Sequence, residues 1–110
     1  MIFTIKITDR ANRDIRNIYE YIAYELLSFT NAVGQLNRIE NCIMSLDYMP
    51  KRYRLFDREP WRSRGLRIVS VDNYCILYIV DNDEMSVTIM RVLYGGRDID
   101  ALLDKYMKYE

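Results

Sequence analysis

LRIVSVDNYCILYIVDNDEMSVTIMRVLY, residues 66–94, decides the fold. LRIVSV (66–71), YCILYIV (74–80) and MSVTIMRVLY (85–94) are rich in the β-branched and aromatic residues that suit a pleated, half-buried surface. The short segments between them, DN and DNDE, are made of residues that tolerate tight turns. Three such runs joined by two short turns predict an antiparallel meander. The last run breaks off in Tyr94-Gly95-Gly96-Arg97-Asp98, where the glycines are expected to supply positive φ for a sharp exit. Beyond it, DALLDKYMKYE (100–110) reads as a short final helix with Asp98 or Asp100 as its cap.

Upstream of the meander, residues 50–65 (PKRYRLFDREPWRSRG) are polar and basic and hold no period, so a long loop is expected there. Long loops in small domains are more often functional than idle. Before it the apolar residues recur every three or four positions. Ala32, Leu36, Ile39, Ile43 and Leu46 form one helical stripe, which must end near Met49 because Pro50 disfavours helix in the residue before it. Ala11, Ile15, Ile18, Tyr19, Ile22 and Leu26 form another, opened by Thr8 or Asp9 as N-cap. LSFTN (27–31) breaks the two apart, and IFTIKI (2–7) alternates as a first strand. The order is β-α-α-β-β-β-α. It defines an α+β fold in which a helical hairpin covers one face of an antiparallel sheet.

The 110 residues suit a single domain spanning 1–110, and half of them are hydrophobic, as in an ordinary soluble globule. No apolar run approaches the ~20 residues of a membrane span and the N-terminus has no signal-peptide character, so a cytoplasmic protein is expected. Cys42 and Cys75 stand far apart among apolar neighbours and read as buried, reduced thiols. The formal charge is zero but unevenly spread. Residues 51–67 carry seven cations (Lys51, Arg52, Arg54, Arg58, Arg62, Arg64 and Arg67) against Asp57 and Glu59. That stretch is either a solvated arginine-rich loop or a local cationic patch.

The absence of histidine excludes Ser-His-Asp, Cys-His and His-metal chemistry. Asp81, Asp83 and Glu84 surround a turn without further ligands, so no metal and no cofactor is expected. What remains is arginine with tyrosine. Arg67 on the first strand of the meander, Arg91 on its last, Tyr94 at its end and Arg97 after the turn could form one cationic rim. Guanidinium groups grip phosphate through two parallel bonds, and a set of them can stabilise charge on a phosphodiester. The competing reading pairs each arginine with a nearby carboxylate, Arg97 with Asp98 or Asp100.

These stretches resemble the RelE/ParE superfamily of bacterial toxins from toxin–antitoxin modules, also known as plasmid stabilisation proteins. The matching residues are Gly65-Leu66-Arg67, Val71, Asn73-Tyr74, Ile76, Tyr78, Arg91-Val92, Tyr94-Gly95 and Arg97-Asp98. ANRDIRNIYEYI (11–22) and SLDYMPKRY (45–53) agree in kind. The resemblance implies a growth-inhibiting toxin with a cognate antitoxin as partner. It also implies one of two targets: DNA gyrase for ParE-like members, or ribosome-bound mRNA, cleaved as an endoribonuclease, for RelE-like ones. Whether the chain is an enzyme depends on that choice. The RNA-cleaving branch typically has arginine after the aromatic of the central strand, where this chain has Cys75. ParE-like members often have histidine where this chain has Tyr94. With the neutral net charge, these departures lean towards gyrase; a non-toxic interaction module is the alternative of a different class. Antitoxins of the family wrap their toxins, which requires exposed apolar surface. Tyr24 and Leu27 fall off the first helix's apolar stripe and are the expected partner-binding residues. Oligomeric state is left open by the sequence.

Overall fold

The computed structural model describes residues 2–95 and Ile99. Strand β1 (Thr4–Ile7) leads into helix α1 (Asp9–Glu20), a π-helical turn (Tyr21–Glu25) and helix α2 (Phe29–Ser45). A single 3₁₀ turn (Pro50–Arg52) follows, then β2 (Leu66–Val71), β3 (Tyr74–Asp81) and β4 (Ser86–Tyr94). The expected meander is present, with β2 antiparallel to β3 and β3 to β4. The sheet order is β1-β4-β3-β2. β1 joins β4 in parallel, with Thr4 opposite Ser86 and Ile7 opposite Ile89. The sheet is therefore antiparallel apart from one edge. Thr8 caps α1 as expected, its hydroxyl oxygen accepting from the Ala11 N–H.

Alternation along the strands gives the sheet two apolar faces. One, carrying Val69, Ile76, Tyr78, Val87, Ile89 and Val92, packs against Ala11 of α1 and Ile39 and Ile43 of α2. The other, carrying Leu66, Ile68, Cys75, Leu77 and Leu93, is covered by Phe56 and Trp61. Those two residues come from the stretch expected to be an open loop. Its backbone pairs with the free edge of β2: the Phe56 N–H donates to the Leu66 carbonyl, and the Ile68 N–H to that of Arg54. The absence of a sequence period concealed a second core, because two large aromatics five residues apart can fill a face that no regular element covers.

Two departures concern the helices. α1 gives way to the π turn after Glu20, so the angular phase of the side chains shifts. Ala23, off the expected stripe, is fully buried, while Leu26, on it, is exposed. α2 stops at Ser45 rather than near Met49. Arg52 returns to its C-terminus and donates to the carbonyls of Ser45, Tyr48 and Met49, the favoured place for a cation on a helix. One arginine of the basic stretch is thereby used by the fold.

Candidate functional site

Three of the six expected site residues, Arg67, Arg91 and Tyr94, lie on the strands of the meander, and the structure gives them different situations. β1 pairs with β4 only as far as Ile89, so the last residues of β4 have an open edge. The start of α1 takes over that edge. The Thr8 hydroxyl donates to the Met90 carbonyl, and the Val92 N–H donates to Asp14 Oδ2 at 3.0 Å. A β-bulge leaves Met90 without a partner on β3, since Tyr78 faces Ile89 and Leu77 faces Arg91. Arg91 then meets the same carboxylate, Nε to Oδ2 at 2.7 Å and Nη2 to Oδ1 at 3.0 Å. Both side chains are nearly inaccessible. Arg91 is engaged in a buried, fork-like ion pair inside the fold.

Arg67, on β2, is separated from Arg91 by β3. Its guanidinium donates to the main-chain carbonyls of Tyr53, at 2.7 Å, and Lys51. It ties the basic stretch down onto the sheet. The structure thus holds Arg67 and Arg91 on different strands, each with main-chain or carboxylate partners of its own. Arg97, Gly96, Asp98 and Asp100, with the final helix expected over 100–110, lie outside the described residues.

Tyr94 does border a site. The ends of β2, β3 and β4 enclose an open cleft of about 290 Å³, lined by Ser70, Asp72, Asn73, Tyr74, Cys75, Tyr94 and Gly95. The Tyr94 ring stands edge-on to Tyr74, centroids 5.9 Å apart, and half of Tyr94 is exposed. Burial raises the Tyr74 hydroxyl above its ordinary pKa, with the neighbouring Tyr21 and Tyr94 hydroxyls adding to the effect. Tyr74 and Tyr94 therefore pair beside the cleft, and Tyr21 of the hairpin lies near enough to Tyr74 to affect its hydroxyl. Gly95 does not take positive φ. Its N–H donates to the Asn73 carbonyl at 2.7 Å. A Cβ there would come within 3.3 Å of that oxygen, so close approach rather than backbone freedom favours glycine. The cleft's charged lining residue is Asp72, which Arg38 and Gln35 hold from α2. The hydrogen bond from Arg38 is the main reason its carboxyl titrates below the usual range.

The second site is the tip of the helical hairpin. Tyr24 and Leu27 point outward as expected, and Leu27, 81% exposed, sits in the left-handed backbone region at φ 51°. Tyr21, Leu26, Phe29 and Val33 are exposed with them, and the Tyr24 ring packs edge-on against Phe29. Six exposed apolar side chains thus fall within residues 21–33, and clustered exposed apolar groups mark interaction sites. Among the described residues no helix is long and apolar enough to cross a membrane.

Sequence reasoning missed Asp14 and the phenols around Tyr74. Asp14 could have been found, since it stands three residues after Ala11 and next to Ile15, a carboxylate in the apolar stripe of an amphipathic helix. Tyr21 and Tyr74 carry no local signal, because they meet only through the packing of the hairpin on the sheet.

A short amphipathic hairpin against this sheet, with polar cleft and apolar tip, defines a small toxin fold, and comparison with known proteins gives the family. Residues 5–99 match the ParE toxin of type II toxin–antitoxin systems, parDE. The chain belongs to that family and is the toxin component of a toxin–antitoxin system. No curated protein matches it. Among solved structures, the chromosomal ParDE system of P. aeruginosa superposes with a TM-score of 0.69 at 18% identity, over 84% of this chain and 96% of that one. The RelBE2 toxin–antitoxin complex of Mycobacterium tuberculosis gives 0.63 at 22% identity, over 86% and 92%. A mutant E. coli RelE toxin in the free state gives 0.67 at 11%, over 99% and 98%. At these identities the structural likeness speaks for the fold.

Proposed function

We propose that this toxin acts in the cytoplasm by binding a protein target, DNA gyrase, rather than by cleaving mRNA, and that an antitoxin neutralises it by covering the hairpin tip. The observation that carries the choice of target is the chemistry of the cleft beside Tyr94. At the position where the RNA-cleaving branch has an arginine, Cys75 is buried in the second core and offers no charge. Among the described lining residues the cleft holds no cation, and its acidic member, Asp72, is already paired with Arg38. Arg91, three residues before Tyr94, is committed to Asp14. Cleavage of RNA without histidine needs fixed positive charge at the scissile phosphate to stabilise the transition state. Phenol rings beside amide and hydroxyl groups suit a protein surface, where tyrosine supplies contact area with a polar end. On this reading Tyr94 and Arg97 are contact residues.

Purified toxin inhibits supercoiling by gyrase and leaves ribosome-bound mRNA intact. Messenger cleavage with supercoiling unimpaired would reverse the assignment. Arg97→Lys separates the mechanisms within one molecule, because it keeps the charge and loses the planar fork that phosphate chemistry requires; toxicity persists if the contact is to protein. The antitoxin arm is tested by Tyr24→Ser with Leu27→Ser, which weakens neutralisation while the melting temperature holds.

A further inference from the structure

α1 carries three cations along one side, the first of them, Arg10, in the turn where a cation is least favoured. Arg10, Arg13 and Arg16 follow one another at three-residue spacing, and all are exposed. Residues three apart on a helix are neighbours, so these guanidiniums repel one another. The first turn's unsatisfied N–H groups already make that end positive. Asp9 and Glu20 each stand four residues from Arg13 or Arg16, yet among the described residues none of these five groups forms an ion pair or side-chain hydrogen bond. Asp14, the acid between them, is turned inward and used by Arg91. The fold therefore draws no compensation from the ridge, and local choices that work against the structure that carries them point to function.

The outward face of the same helix continues into Tyr21 and Tyr24 and then into the tip, with Leu26, Leu27 and Phe29. From Arg10 to Leu27 it runs about 25 Å at 1.5 Å per helical residue. We propose that this face receives a polypeptide segment apolar at one end and acidic at the other. Its apolar end lies on the hairpin tip, and its carboxylates lie over Arg10, Arg13 and Arg16. This rests on the antitoxin reading above and adds to it a requirement for acidic residues about three helical turns from the tip-binding ones. A polypeptide fits better than a nucleic acid for two reasons. A phosphate backbone gains nothing from exposed leucine and phenylalanine, and a chain of zero net charge lacks the long-range field that gathers polyanions. A short acidic segment needs only the local charge.

The test uses the full chain and a labelled 20-residue helical peptide. The peptide carries leucine at i, i+3, i+4 and i+7 of its first half and glutamate at the same places of its second; a 20-base-pair DNA duplex is run in parallel. The peptide binds, and Arg10→Gln, Arg13→Gln and Arg16→Gln together slow its association about tenfold at low salt and flatten the salt dependence. The triple variant melts at or above the parent temperature, because mutual repulsion has been removed. Three results overturn the proposal: binding of neither probe, duplex binding that alone depends on the arginines, or a triple variant that melts well below the parent. Tyr24→Ser with Leu27→Ser separates the two readings. If the arginines matter and the tip does not, the tip assignment falls and the ridge stands; if only the tip matters, the ridge falls.

Discussion

At the end of β4 a guanidinium and a carboxylate lie inside the protein, with the Val92 N–H bonded to the same carboxylate. At the hairpin tip the situation is inverted: Leu27 stands in water in a backbone conformation that leucine rarely adopts. Both regions break the usual partition of charged outside and apolar inside. They differ in whether the fold answers the misfit. Around Asp14 its acceptors meet identified donors, so the charge is explained by structure alone. At the tip the Tyr24 ring packs on Phe29, and both stay exposed beside Leu27. An answered misfit is architecture, whereas an unanswered one is an invitation to a partner.

That contrast breaks most directly at Asp14. Asp14→Ala strands Arg91 in the interior and costs about 3–5 kcal/mol of stability by urea unfolding. Toxicity falls with the folded fraction rather than through loss of a contact. Replacing the pair together, Asp14→Leu with Arg91→Met, recovers much of the loss, but the Val92 N–H then lacks its acceptor and keeps about 1–3 kcal/mol of penalty. If Arg91→Met alone left stability untouched while abolishing toxicity, the architectural reading of Arg91 would be wrong.

A subtler probe of answered polarity is Tyr78, whose buried hydroxyl donates to the Pro50 carbonyl at 2.6 Å. Tyr78→Phe loses about 1 kcal/mol. Burial, the leading cause, pushes the Tyr78 hydroxyl up to about 12, from about 10 for an ordinary tyrosine. The folded state thus keeps this proton where the unfolded chain releases it. The stabilisation is complete below pH 10 and is lost between pH 10 and about 12. The phenylalanine variant shows a shallower decline of stability across that window in alkaline unfolding.

The tip yields the smallest effects on stability. Tyr24→Ser changes it by no more than about 0.5 kcal/mol. Leu27→Gly relieves the left-handed strain against a higher backbone entropy cost and gains up to about 1 kcal/mol. A large loss at either position would mean that the tip is part of the core after all, and the comparison would collapse.

The meander was legible in the sequence because alternation and turn chemistry agree at each of its joints. The helical hairpin was legible too, up to the point where the π turn exchanged Leu26 for Ala23. Hidden were the features that depend on distant residues. The parallel placement of β1 has no local signature. The covering of the second face rests on Phe56 and Trp61 in a stretch without period. Of the candidate site, Tyr24 and Leu27 do point outward, although the π turn and the left-handed Leu27 displace the helical phase on which that expectation rests. The separation of Arg67 from Arg91 was not legible, since each is held by a group, the Tyr53 carbonyl or the Asp14 carboxylate, that only the folded chain brings near.

The parallel pairing of β1 with β4 also sets an order in time. Thr4 finds Ser86, and Asp14 finds Arg91 across a separation of 77 residues. Neither contact can form until the last strand has been synthesised, and contacts so remote in sequence carry a high entropic cost before they reward the chain. During translation the helical hairpin therefore emerges first, while the cleft beside Tyr94 does not yet exist. A partner that recognises the tip residues can meet the nascent chain before that cleft has been built.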